Sequence, residues 1–248
     1  MRKPYRGIFD CMDKEWGKVL MQLNFENLEK EIGYVFKDKL LIKRALTHTS
    51  YENEQKINKN GHYERLEFLG DAVLELLSSE YIYEKNPDMG EGKMTKLRAA
   101  IVCEVSLAKS AEQICLSEYI YLGKGESRTG GRNRDSIVAD VMEAVIGALY
   151  LDGGISVARE FVRKFILNDI EQKSLFYDAK SNLQEYVQQN KLGIMKYELL
   201  DERGPEHKKE FECAVCLDDK RLGVGVGNNK KEAEQKAAYE ALLILKKQ

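Results

Sequence analysis

The residues in this chain whose types and spacing could do chemistry are carboxylates set at helical intervals. In Glu64-Arg-Leu-Glu67-Phe-Leu-Gly-Asp71-Ala-Val-Leu-Glu-Leu-Leu77, the apolar Leu66, Leu69, Val73, Leu76 and Leu77 recur with a helical period. At about 100° per residue, Glu64, Glu67 and Asp71 then share an arc of roughly 60° on the opposite side. Like charges stacked along two turns repel by about 0.2–0.5 kcal/mol per neighbouring pair, and a solvated face would alternate signs instead. Phe68 also lies on the acidic side, away from the leucine stripe. Cations that neutralise the acids and a second surface that covers the phenylalanine would account for both features.

A second acidic pair follows in Ser136-Ile-Val-Ala-Asp140-Val-Met-Glu143-Ala-Val-Ile-Gly147. Asp140 and Glu143 stand at i and i+3 on one helix face, with Ala144 and Gly147 beneath them. Those small residues allow another backbone to approach closely. Two crossing helices could therefore gather Glu67, Asp71, Asp140 and Glu143 around one oxygen-rich pocket. All-oxygen donors suit hard divalent cations, with water and substrate phosphate completing the shell.

Stepping outward, the elements that must hold these acids are helical. Helices are expected over Phe25–Ile32 and over Lys39–Thr47, the latter capped by Asp38. Glu52–Gly61 is polar and reads as a loop. The acidic helix ends before Asn86-Pro87. Met94–Leu107 reads as one helix, followed by short helical pieces over Ala108–Leu116. Tyr121–Arg134 is glycine-rich and carries Lys124, Arg128, Arg132 and Arg134, so it is either a mobile, phosphate-touching loop or an ordinary connector. The second acidic helix stops near Asp152-Gly-Gly154, and a last helix runs over Ser156–Glu171.

After residue 177 the periodicity changes to helix (Ser181–Asn190), three strands (Lys196–Arg203, Glu210–Leu217, Lys220–Val226) and helix (Lys230–Lys246). The fold class expected is thus an all-α domain followed by a small α+β domain of α-β-β-β-α order. The division is residues 1–23 as an extension, 24–172 as the helical domain, 173–177 as a linker and 178–248 as the smaller domain.

Composition alone does not reveal a polyanion partner. The chain has 248 residues, 39 Lys+Arg against 41 Asp+Glu, and a formal net charge of −2. Residues 178–248 hold 13 basic and 13 acidic residues, so any such contact must come from clustered charge. No apolar stretch reads as a membrane span or signal peptide, which leads to the expectation of a cytoplasmic protein without a membrane partner. The five cysteines, Cys11, Cys103, Cys115, Cys213 and Cys216, are an odd number. Cys213 and Cys216 have zinc-like spacing, but three apart on a strand they point to opposite faces, so buried thiols are expected instead.

The run Glu64-Arg-Leu-Glu-Phe-Leu-Gly-Asp71 resembles the signature of bacterial ribonuclease III, the double-stranded-RNA endonuclease. Ala45-Leu-Thr-His48, Glu91-Gly-Lys-Met-Thr-Lys-Leu-Arg98 and Asp135-Ser-Ile-Val-Ala-Asp-Val-Met-Glu-Ala-Val-Ile-Gly147 extend the likeness over roughly residues 24–248, and the C-terminal α-β-β-β-α order is similar to the double-stranded-RNA-binding domain.

By this resemblance Glu67, Asp71, Asp140 and Glu143 are the metal-binding quartet, with Mg²⁺ the expected cofactor and Mn²⁺ a substitute. Asp71 and Glu143 are the catalytic pair, and Glu64 and Glu91 are supporting acids that order substrate or water. No small-molecule organic cofactor is expected. Phe68 matches an aromatic inserted across a homodimer interface; a contact within its own core is the alternative. Tyr63 stands where many members have asparagine, and Glu75 is read as surface charge. The expected RNA contacts are Gln184 and Glu185 on the first helix of the smaller domain, His207 in the loop between the first two strands, and Lys230 and Lys231 at the start of the last helix. Glu234 replaces a lysine common in such domains, and Lys236 is expected to compensate.

The resemblance implies hydrolysis of duplex RNA to 5′-phosphate and 3′-hydroxyl ends with short 3′ overhangs, in maturing rRNA precursors and structured mRNAs. A catalytically silent duplex-binding protein, or a helical metal enzyme acting on a small phosphorylated substrate, are the competing readings.

Overall fold

The computed structural model describes residues 25–54, 61–168, 170, 175, 179–205 and 209–245. The expected N-terminal extension, most of the 173–177 linker and His207 lie outside the described residues. Two compact units emerge, one from residues 25–89 and 102–168, the other from 90–101 and the C-terminal segment. Residues 90–101, read from the sequence as part of the 24–172 domain, thus group with the second unit.

The first unit is helical throughout. α1 spans 25–32, α2 Lys39–Ala45, α3 Thr49–Glu54 and α4 Glu64–Lys85. Asp38 caps α2 as expected, its carboxylate accepting from Leu40 N at 2.8 Å. The polar stretch expected as loop from Glu52 is still helical to Glu54, where α3 ends. α4 stops at Lys85, and Asn86 closes it by donating to Ile82 O.

The helix expected over Met94–Leu107 is two. α5 covers Glu91–Val102 and α6 covers Glu104–Glu112, divided at Cys103, whose extended backbone breaks the ladder. Only Ala100 and Ile101 of α5 are buried. The glycine-rich 121–134 segment folds into α7 (Lys124–Arg128) and a 3₁₀ turn (Gly131–Asn133). Two of its four cations have partners within the protein, Arg134 pairing with Glu126 at 2.8 Å and Arg132 donating to the Ser117 carbonyl.

α8 runs from Asp135 to Phe165 with a kink at Gly154, whose φ of 78° is open to glycine at little cost. The break expected at Asp152-Gly-Gly154 thus falls at Gly154, where the backbone leaves the helical region before a second helical stretch continues to Phe165. Just before it, Asp152 accepts from Tyr34 OH (2.8 Å), Lys37 N (2.8 Å) and Asp38 N (2.9 Å), pinning α8 to the turn that precedes α2. By length and composition alone α8 could cross a membrane (mean hydropathy 1.5), which the sequence reading did not anticipate. Here it is the core helix: Val141, Met142, Val145, Ile146 and Leu149 are fully buried. Each such side chain contributes about 1.5–3 kcal/mol on leaving water. Leu66, Val73, Leu74, Leu77 and Ile82 supply the buried stripe of α4.

In the second unit α9 (Ala179–Gln189) precedes an antiparallel sheet of order β1-β2-β3, with strands Met195–Arg203, Glu210–Leu217 and Lys220–Gly227, and α10 (Lys230–Leu245) closes it. Ala179, Leu183, Val187, Val215, Ala237, Ala238, Ala241 and Leu242 form its core. α10 approaches β3 backbone to backbone, so a Cβ at Gly225 would stand 2.3 Å from the Ala233 carbonyl oxygen. Cys213 and Cys216 are buried thiols with separate partners, the Lys230 carbonyl and Glu198, as their spacing suggested.

Candidate metal centre and RNA interface

The acidic residues of α4 and α8 meet because two glycines let the helices touch. A Cβ at Gly70 would lie 1.8 Å from the backbone oxygen of Glu143, and one at Gly147 would lie 2.3 Å from that of Leu66. No residue with a side chain fits at either point. Gly70 sits between Glu67 and Asp71, while Gly147 lies one turn beyond Glu143 and two beyond Asp140. The crossing therefore sets all four carboxylates on adjoining faces. A glycine inside a long helix costs about 1 kcal/mol relative to alanine, and Gly70 in the 22-residue α4 was the sequence signal of this approach.

The carboxylates sense one another. Burial, then the charges of Asp71, Glu67, Asp140 and Glu75, push the Glu143 carboxyl up to about 8. Burial, then Asp140, Glu64 and Asp71, push Glu67 up to about 7. Burial also raises Asp140, against the opposing pull of a Tyr63 hydrogen bond and of His48. Glu75, read as plain surface charge, is thus felt at Glu143. Among the described residues no three His, Cys, Asp or Glu groups converge in a geometry that could already hold a metal ion.

Around this cluster the remaining sequence-derived residues find distinct places. Glu64 is exposed at the first turn of α4, its carboxylate 3.7 Å from His62 Nδ1. Glu91 belongs to the second unit; it is exposed in the first turn of α5, where it accepts from Thr95 Oγ1 at 3.0 Å. His48 is structural: its Nδ1 accepts from Ser50 N at 3.1 Å and lies 2.7 Å from Ser50 Oγ. Phe68 is 81% exposed, which removes the alternative of a contact within its own core. Leu76, read from its spacing as part of the apolar stripe, is exposed as well, and so is Tyr83 further along α4. Tyr63, given no role from sequence, is buried and donates to Asp140 Oδ2 at 3.1 Å.

In the second unit Gln184 and Glu185 are exposed on α9, and Lys230 and Lys231 are exposed in the first turn of α10. That helix is capped by Asn229, whose side chain accepts from Glu232 N at 2.9 Å, while Glu232 reaches back to Asn228 N at 2.9 Å. Lys236, expected to compensate for Glu234, has its ammonium 2.7 Å from Glu232 on the same helix. Glu234 in turn holds Lys180 at 2.5 Å, and that ammonium also lies 4.7 Å from the centre of the Tyr197 ring.

Residues 38–170 match the family described as Ribonuclease-III-like, and residues 179–245 match the double-stranded RNA binding motif. Ribonuclease 3 of Geobacillus sp. (strain WCH70) is 49% identical over 236 residues, covering 94% of this chain and 96% of its own length. Ribonuclease 3 of Geobacillus thermodenitrificans is 50% identical over 224 residues, covering 90% of this chain and 91% of its own. Among solved structures, the nuclease domain of ribonuclease III from Campylobacter jejuni, described as having structural flexibility in a region involved in dimer formation, superposes with a TM-score of 0.54 at 43% identity. It covers 58% of this chain and 96% of that domain. A helical unit built around crossed acidic helices and a duplex-RNA-binding unit, each matched over nearly its whole length, place the chain in the ribonuclease III family, as an endoribonuclease acting on double-stranded RNA.

Proposed function

We propose that this endoribonuclease cleaves duplex RNA with the help of divalent cations, Mg²⁺ with Mn²⁺ as a substitute, held by Glu67, Asp71, Asp140 and Glu143. The observation that carries this reading is the coupling of the four carboxylates across the Gly70–Gly147 crossing. Acids whose proton affinity is raised, first by burial and then by one another's charge, to about 7 and about 8 gain most from a multivalent cation. The donors are all oxygen, which fits a hard ion, and rotation about their side-chain bonds brings them together while the crossing keeps their backbones fixed.

When bound, the cation supplies a polarised water and neutralises charge that builds on the phosphoryl oxygens. The chain's own residues do the rest. Asp71 and Glu143, from opposite helices, anchor the centre, one on each side. Glu64, exposed beside them, orders substrate or water; the same role for Glu91 rests on the match of its segment to the family. Lys230 and Lys231 hold phosphates while Gln184 and Glu185 face the minor groove, recognising A-form shape and 2′-hydroxyls. His207 takes a minor-groove role on the same family likeness.

Two copies paired through Phe68 give two cutting centres. Each cuts one strand, leaving 5′-phosphate and 3′-hydroxyl ends with short 3′ overhangs. Substrates of this form are rRNA precursors and structured mRNAs in the cytoplasm, a reducing compartment that suits the buried free thiols.

The test is incubation of long double-stranded RNA with wild type and with Glu143→Ala, in Mg²⁺ or in EDTA. Wild type should cut only with Mg²⁺, and the variant should shift the duplex on a gel without cutting it. A wild type that binds but cuts with no divalent ion tried would replace this reading with the silent duplex-binding one.

A further inference from the structure

Tyr63 joins the two acidic helices through both its backbone and its side chain. Its carbonyl oxygen accepts from Leu66 N at 2.8 Å and Glu67 N at 2.9 Å, so it opens the helix that carries Glu67 and Asp71. Its amide donates to the Thr47 carbonyl at 3.0 Å, and the His48 ring packs on its own at 5.6 Å between centroids. His48 is fixed in turn by a backbone bond from its amide to the Tyr121 carbonyl, 3.0 Å long. The phenol is thus held on a rigid platform, and its hydroxyl ends on Asp140 Oδ2 of α8.

From this we propose that Tyr63 is a positioning residue for the divalent-metal centre: its hydroxyl fixes the rotamer of Asp140 and engages Oδ2, leaving Oδ1 free to face a cation. The inference rests on the metal reading above. The physical need is specific. Four like-charged carboxylates repel, and each prefers to swing toward solvent. A neutral donor that holds one of them in place lowers the ordering that ion binding must impose, without adding a charge that competes with the ion. A phenol is protonated at neutral pH, so it stays a donor to the carboxylate. Phenylalanine at this position would keep the ring against His48 and lose only the hydroxyl.

The experiment titrates the full-length wild type and Tyr63→Phe with Mn²⁺, following free Mn²⁺ by electron paramagnetic resonance. Partners that orient a metal ligand are worth roughly 10–100-fold in affinity, and with one ligand of four affected the expected loss is about tenfold. The Mg²⁺ concentration for half-maximal cleavage should rise by a similar factor, while the rate at saturating Mg²⁺ recovers and duplex binding in EDTA is unchanged. Equal Mn²⁺ affinity in the two proteins overturns the proposal. A wild type that takes up no Mn²⁺ overturns the metal reading beneath it, a distinct result. If the variant melts lower in EDTA, the rise in melting temperature on adding Mn²⁺ still reports affinity. A rise as large as that of wild type also overturns the proposal.

Discussion

Replacing Gly70 by alanine tests the crossing on which the whole site depends. The added methyl would stand 1.8 Å from the Glu143 carbonyl oxygen. Non-bonded heavy atoms are comfortable near about 3.5 Å, so α4 and α8 would have to part by roughly 1.5 Å at this point. The obstacle is backbone and cannot rotate away. Two effects then compete. Alanine is the better helix former by about 1 kcal/mol, which favours the variant. Overpacking a closed core costs about 1–3 kcal/mol, and a clash with backbone belongs at the upper end of that range or beyond. The net expectation is a loss of about 2 kcal/mol or more, roughly 4–8 °C in melting temperature for a domain of this size. Cleavage should suffer more than stability, because a displacement of about 1 Å in a catalytic centre costs on the order of a hundredfold. Urea unfolding followed by far-ultraviolet circular dichroism reads the first effect, and cleavage of duplex RNA in Mg²⁺ reads the second. Gly92→Ala is the control: nothing lies within 4 Å of its Cβ, so it should leave stability unchanged or raise it by up to about 1 kcal/mol. A Gly70→Ala protein as stable and as active as wild type would refute the close crossing.

Glu67 and Glu143 carry folded-state pKa values above those of an unfolded chain. Metal-free protein therefore binds more protons folded than unfolded between about pH 4.5 and 8, and should lose stability as pH rises through that window. Urea midpoints in EDTA at pH 5 and pH 8 measure this, and Mg²⁺ should flatten the trend; a flat profile in EDTA would sink the electrostatic account. Phe68→Asp places a charge on a face that is 81% exposed in one copy, so monomer stability should hold while sedimentation shows loss of the dimer. An unchanged dimer would move the interface elsewhere. Lys230→Ala with Lys231→Ala should weaken duplex binding and reduce the slope of log affinity against log salt by about 1–2. Glu234→Lys should act in the opposite sense, since it releases Lys180 and adds a cation; equal affinity would show that neither lysine reaches phosphate.

The sequence by itself determined which residues carry charge and with what period. Glu67 with Asp71, and Asp140 with Glu143, fall on single helix faces because an α-helix repeats every 3.6 residues, a local property that needs no tertiary context. The strand Glu210–Leu217 and the start of the last helix at Lys230 were legible for the same reason, through the local period of their side chains. What depends on contacts between distant segments was not. The contact of Arg132 with the Ser117 carbonyl and the pairing of Lys180 with Glu234 follow from who lies next to whom in space. Tyr63 meets Asp140 across 77 positions of chain, and no local pattern announces that bond. Above all, tertiary structure decided that the two acidic faces adjoin. Helical periodicity orients a side chain about its own axis, but only the packing of Gly70 against Glu143 and of Gly147 against Leu66 fixes the distance between the axes.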